Sequence, residues 1–87
     1  MAALDAGAVE RTVTTFIVDN FLFGNAADAP APSTSFMETG LIDSTGVLEL
    51  VGFIESTYNL KVGDDELVPE NLDSVANLAA FVVRKAA

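Results

Sequence analysis

Apolar residues recur at spacings of three and four in three separate stretches of this 87-residue chain, a period that belongs to helices and not to strands. In the first stretch, from about Ala6 to Leu22, Val9, Val13, Phe16 and Ile17 share one side, with Phe21 less regular. Asp5 is a natural N-cap there, and Gly24 and Asn25 can end the helix. The second helix is predicted to begin at or just after Ser44, because Asp43 and Ser44 are both capping types. It sets Val47, Leu50, Val51, Ile54 and Tyr58 along its core side and points Glu49 and Glu55 away from it, near Gly52 and Ser56. The third begins near Asp73 or Ser74 and carries Val75, Leu78, Ala79, Phe81 and Val82. It closes on Arg84 and Lys85, where cations suit the helix dipole.

A chain of this length supports one small core, so residues 1–87 read as a single domain of the all-α class, a small antiparallel bundle of three main helices plus a short helical turn. Between the first two helices, Gly24 to Ser35 changes to Gly, Asn, Pro, Ser and Thr, and Ala29-Pro30-Ala31-Pro32 predicts a long, partly extended loop. Phe36 and Met37 bring apolar side chains back toward the core before Gly40 turns the chain. Asp64-Asp65-Glu66 predicts a brief helical turn ahead of Leu67 and Val68, broken by Pro69 and Asn71. Gly46 and Gly52 fall inside the predicted second helix, each at a cost of about 1 kcal/mol relative to Ala; packing or the close approach of another surface would keep them there.

The charge narrows the function classes. Thirteen acids against four bases and no His give a net charge of −9, which repels nucleic acid and anionic membrane surfaces. Its partners should be basic. Glu38, Asp43, Glu49, Glu55, Asp64, Asp65, Glu66, Glu70 and Asp73 form an acidic second half in which Lys61 is the interior base, a pattern that also serves simply as a solvated face. The N-terminus Met1-Ala2-Ala3-Leu4-Asp5 lacks the basic segment and apolar core of a secretory signal, and no apolar run approaches the roughly 20 residues of a membrane span. A cytoplasmic protein is the expectation.

Catalysis by the chain itself is not expected. Without His or Cys it lacks the usual general base, the thiolate nucleophile and the usual zinc ligands. A nucleophile elbow around Ser44 would need glycine where Ile42 stands, and a calcium loop starting at Asp64 would put Pro69 where glycine is required. Adjacent acids such as Asp64-Asp65 read as solvated surface.

Two acidic-serine pairs remain, Asp43-Ser44 and Asp73-Ser74. An ordinary cap explains the second, which stands directly before the stripe that starts at Val75. In the first, Gly40-Leu41-Ile42 supplies a turn and an apolar anchor that can fix a short hydroxyl in an exposed, oriented position. A helix N-terminus favours an anion such as a phosphodiester. On the residues alone the cap leads there too, and the functional reading stands beside it.

Gly40-Leu41-Ile42-Asp43-Ser44 resembles the G-x-x-D-S motif of the acyl carrier protein family, at the start of that family's second helix. Val47-Leu48-Glu49-Leu50-Val51 with Phe53-Ile54-Glu55 is similar to that helix, Leu67-Val68-Pro69-Glu70-Asn71 to the family's short third helix, and Asp73-Ser74-Val75 through Phe81-Val82 to its fourth. The resemblance implies a carrier that is not an enzyme, with Ser44 as the attachment site of 4'-phosphopantetheine and Asp43 as its motif neighbour. A phosphopantetheinyl transferase would install the arm from coenzyme A with magnesium, and its thiol would hold an acyl or aminoacyl group as a thioester.

The resemblance also implies docking through acids of the second helix. Glu49 and Glu55, with Asp43, Thr45 and Gly46, are the candidate contacts for Lys/Arg patches on an adenylating ligase and on an acyltransferase or synthase. Thr45 and Gly46 depart from the leucine and acid usual after the serine, and look more like free-standing specialised carriers served by a dedicated adenylate-forming ligase. A monomer is expected. The alternatives are a D-alanyl or other aminoacyl carrier and, in a different class, a non-catalytic helical interaction module whose Ser44 is only a cap.

Overall fold

A computed structural model describes residues 4–86 of the chain; Met1–Ala3, on which much of the reading of the N-terminus rests, lie outside the described residues. The described residues form helices and turns: α1 (Ala6–Phe21), α2 (Phe36–Thr39), α3 (Ser44–Tyr58), α4 (Pro69–Leu72) and α5 (Val75–Ala86), with short 3-10 turns at Ala26–Asp28 and Asp64–Glu66. This is the small helical bundle that the periodicity predicts. No helix among the described residues is long and apolar enough to cross a membrane.

Each long helix starts on a side-chain cap. The Asp5 carboxylate accepts from the Gly7 amide at 3.4 Å, and the Ser74 hydroxyl accepts from the Asn77 amide at 3.0 Å ahead of α5. These caps satisfy donors that the first helical turn leaves open. α1 stops one residue before the predicted Leu22. The amides of Leu22 and Gly24 both return to the Val18 carbonyl, at 3.3 and 2.8 Å, so the chain curls back before Asn25 caps the following turn by accepting from Ala27.

The core lies where α1 packs on α5, with α3 closing it. Val13 and Ile17 of α1, Leu50 and Ile54 of α3, and Leu78 and Val82 of α5 are all fully buried. Burying side chains of this size stabilises by roughly 1.5–3 kcal/mol each. A stacked ring pair, Phe16 on Phe53 with centroids 4.1 Å apart, ties α1 to α3.

Three expectations are corrected. Phe36 and Met37 do not both return to the core: they open a one-turn helix that buries Phe36 completely and leaves Met37 53% exposed, because adjacent residues of a helix cannot face the same way. Pro69 does not break a helix; it starts α4, and at the first helical position its fixed φ and missing N–H cost nothing. Arg84 and Lys85 do more than suit a dipole. Lys85 pairs with Glu66 at 2.6 Å and Arg84 donates to the Asn71 side chain at 3.0 Å, so the end of α5 holds the 63–72 segment. The Lys85 hydrogen bond, with that of the Gly63 amide, holds the Glu66 carboxyl below its ordinary range.

The two α3 glycines have different causes. A Cβ on Gly46 would sit 2.5 Å from Ile42 Cγ2 and 3.0 Å from Phe21 Cε1, whereas one on Gly52 meets nothing within 4 Å. Gly46 answers to packing; Gly52 faces open space. The same substitution should therefore have opposite consequences. Gly52→Ala is expected to gain about 1 kcal/mol of helix propensity, raising the thermal midpoint by about 4–8 °C. Gly46→Ala should lose that gain to about 1–3 kcal/mol of overpacking. Thermal melts of the two variants check this, and equal rises would contradict the packing account.

Candidate functional site

The site is the start of α3. Gly40 takes the left-handed conformation, φ 72°, which favours glycine. Behind it Leu41 is half-buried and Ile42 buried, so the chain enters α3 from a fixed anchor. Asp43 is the N-cap, and its Oδ1 accepts from the Gly46 amide at 2.8 Å. Ser44 is thus the first helical residue and not the cap. Its side chain is exposed, and its hydroxyl makes no hydrogen bond among the described residues. The first amides of a helix lack intrahelical partners and carry partial positive charge, which suits an anion beside that hydroxyl.

On the α4 side of Ser44 lies an open groove of about 260 Å³. Val47 and Leu48 of α3 form one wall, Leu67, Val68 and Leu72 the other, and Met37 of α2 stands at its edge together with Ser44 and Asp73. The lining is almost wholly apolar. Leu48 is 56% and Leu67 36% exposed, so the groove is bordered by apolar side chains that the core leaves uncovered. On the opposite side of α3, Phe21, Leu41, Thr45 and Glu49 border a more polar cleft.

The other residues singled out in the sequence fall into distinct places. Thr45 and Glu49 are exposed on α3. Gly46 is buried beneath Phe21 and Ile42, so it shapes the site from below. Glu55 is half-buried, and its Oε2 accepts from the Val62 amide at 2.9 Å. That carboxylate ties down the connection after α3 and does not stand free as predicted.

The groove itself escapes sequence reasoning. Its signals are Leu48, an apolar residue off the core stripe of α3, and Met37, which follows a residue that is itself buried.

An anchored, exposed hydroxyl at a helix start, beside an apolar groove, is a place for covalent attachment of an anionic group. The family model of the phosphopantetheine attachment site matches residues 22–82. A probable acyl carrier protein, PigG, of a Serratia species is 28% identical over 76 residues, spanning 87% of this chain and 86% of that protein. An acyl carrier protein of Akkermansia muciniphila is 32% identical over 75 residues, 86% of this chain and 89% of that protein.

The chain belongs to the acyl carrier protein family. Acyl carrier proteins are carriers and not catalysts, and their cofactor is covalently attached 4'-phosphopantetheine. The Ser44 hydroxyl is exposed at the α3 N-terminus, a setting that complements an anion such as a phosphodiester, and the groove beside it is lined by apolar side chains.

Proposed function

We propose that this carrier holds an acyl group as a thioester on a 4'-phosphopantetheine arm joined to Ser44, and delivers it to partner enzymes in the cytoplasm. The observation that carries the proposal is the division of labour at α3: Asp43 makes the cap, and the Ser44 hydroxyl is left exposed and uncommitted. In the attachment step the Ser44 oxygen forms a bond to the phosphorus of the coenzyme A pyrophosphate that carries the pantetheine. The bond between that phosphorus and the bridging oxygen breaks, and the adenosine bisphosphate half leaves. A transferase takes the hydroxyl proton, so a carrier without His suffices. When bound, the arm supplies the thiol on which cargo is carried.

The groove favours acyl over aminoacyl cargo. The walls are apolar and continuous from Val47 and Leu48 to Leu67 and Val68, so a hydrocarbon chain gains burial there, whereas a short aminoacyl group with a hydrated ammonium gains little. Incubating the apo chain with coenzyme A and a broad-specificity transferase tests the proposal, since the intact mass either rises by one phosphopantetheine or does not.

The partners we propose are that transferase, an adenylating ligase and an acyltransferase or synthase, met as a monomer through basic patches. Glu49 is exposed beside Thr45 and Asp43, whereas Glu55 is occupied by Val62, which makes Glu49 the cleaner docking test. Glu49→Lys should slow loading by a cognate ligase by up to about fivefold at low salt, the rate equivalent of about 1 kcal/mol. It should also flatten the salt dependence. Rates unchanged at low salt would remove Glu49 from the interface.

A further inference from the structure

The second acidic-serine pair contains a residue that a cap does not account for. Ser74 is the cap of α5 and is buried; Asp73 reaches instead across the molecule to α2. Its Oδ2 accepts the Ser35 hydroxyl, its Oδ1 accepts from the Met37 amide at 3.0 Å, and its backbone carbonyl accepts from the Phe36 amide at 2.9 Å. The Ser35 oxygen in turn accepts from the Glu38 amide at 3.1 Å.

We propose that Ser35 and Asp73 form a clasp that sets Met37 at the edge of the groove, which makes Asp73 a positioning residue for cargo carried from Ser44. The proposal rests on the carrier reading above. α2 is a single turn, too short to be stable alone, so its place is decided by what its ends bind. One anchor is Phe36, fully buried in the core. The other is the clasp, which engages the open amides of α2 from Phe36 to Glu38 through Asp73 and Ser35. A third tie, from the Ala76 amide to the Pro32 carbonyl at 2.8 Å, fixes the loop that leads in.

The hydrogen-bonded anchors lie at the end of α4 and the start of α5. Met37 and Asp73 line the groove together with Ser44 and Leu48, so the clasp fixes how far Met37 stands from the α3 wall. With Phe36 held in the core and its neighbour's amide held by Asp73, the Met37 side chain is left at the edge. Opening the clasp frees α2 and exposes the first carbons of a cargo, and its thioester, to water.

The test uses the full chain loaded at Ser44 from hexanoyl-coenzyme A, in wild-type, Ser35→Ala, Ser35→Thr, Asp73→Ala and double Ser35→Ala/Asp73→Ala forms. Two rates are read: hydrogen exchange of the Phe36 and Met37 amides, and cleavage of the thioester by hydroxylamine. Ser35→Ala and Asp73→Ala are each expected to raise both rates about tenfold, the population change that follows loss of a charge-assisted hydrogen bond. Ser35→Thr, which keeps a hydroxyl, should restore wild-type rates, and the double variant should be no faster than Asp73→Ala. Ser74→Ala weakens the fold through a lost cap without touching the groove, and should leave thioester cleavage unchanged.

Cleavage that is unchanged in Asp73→Ala and Ser35→Ala would overturn the positioning role, whether or not amide exchange rises. So would a Ser74→Ala variant as fast as Asp73→Ala. Should Asp73→Ala fail to fold, the milder Ser35→Ala against Ser35→Thr decides. A wild-type chain that cannot be loaded overturns the carrier reading and the positioning role with it, whereas a chain that loads but shows no effect of the clasp overturns the positioning role alone.

Discussion

Phe36→Ala is expected to lower the free energy of unfolding by about 3–5 kcal/mol, read as a shift of the urea midpoint. Phe36 belongs to a four-residue helix in what the sequence marks as a loop, yet its side chain is completely buried and is among the largest in the core. Removing the ring leaves a cavity that the neighbours can collapse into only in part. α2 would then be held by the clasp and by the Ala76–Pro32 tie of the loop that leads in. Against a typical total of about 5–15 kcal/mol for a domain, this loss lowers the thermal midpoint by roughly 15 °C or more. Met37→Ala, one residue away but half-exposed, should change stability by no more than about 0.5 kcal/mol. Similar losses in the two variants would contradict the burial described.

How much of this was legible in the sequence follows from what each residue answers to. The long helices were, because their stripes depend on local period: Val9 to Ile17, Leu50 to Ile54 and Val75 to Val82 all reach the core. The one-turn α2 was not, since a single turn contains too few residues to show a period and its place is owed to distant partners, whereas Asp64-Asp65-Glu66 marked its turn by composition and α4 was reached through the family resemblance. Phe36 is bonded to Asp73 and Asn71 to Arg84. Pro69 was misread because the same ring that stops a helix from within also starts one.

The two acidic-serine pairs show the limit most clearly. Composition gives both the same reading, yet their roles are exchanged. At Asp43-Ser44 the acid caps and the serine is free; at Asp73-Ser74 the serine caps and the acid is engaged elsewhere. Which member caps depends on where the helix begins, one residue earlier or later, and propensity does not resolve a difference of one residue. The family resemblance distinguished Ser44 from Ser74; the tertiary reach of Asp73 left no trace in its neighbours.

Ser44→Ala is expected to abolish phosphopantetheine loading while leaving the fold intact. The hydroxyl removed is exposed and forms no hydrogen bond among the described residues, and the cap on Asp43 remains. Alanine is also the better helix former, so stability should hold or rise slightly. Loss of loading in a fully folded variant separates chemistry from structure. Thr45 is the demanding control, because it presents a second exposed hydroxyl one residue further along α3. That hydroxyl is about 100° around the helix from Ser44 and borders the other cleft, so Thr45→Ala should load as the wild type does.

The most direct measurement is therefore the site of attachment in the wild-type chain. After incubation with coenzyme A and the transferase, fragmentation of the peptide containing Ser44 and Thr45 should place one phosphopantetheine on Ser44, and Ser44→Ala should gain no mass. An unmodified wild-type chain, or a group found on any other residue, would contradict the account.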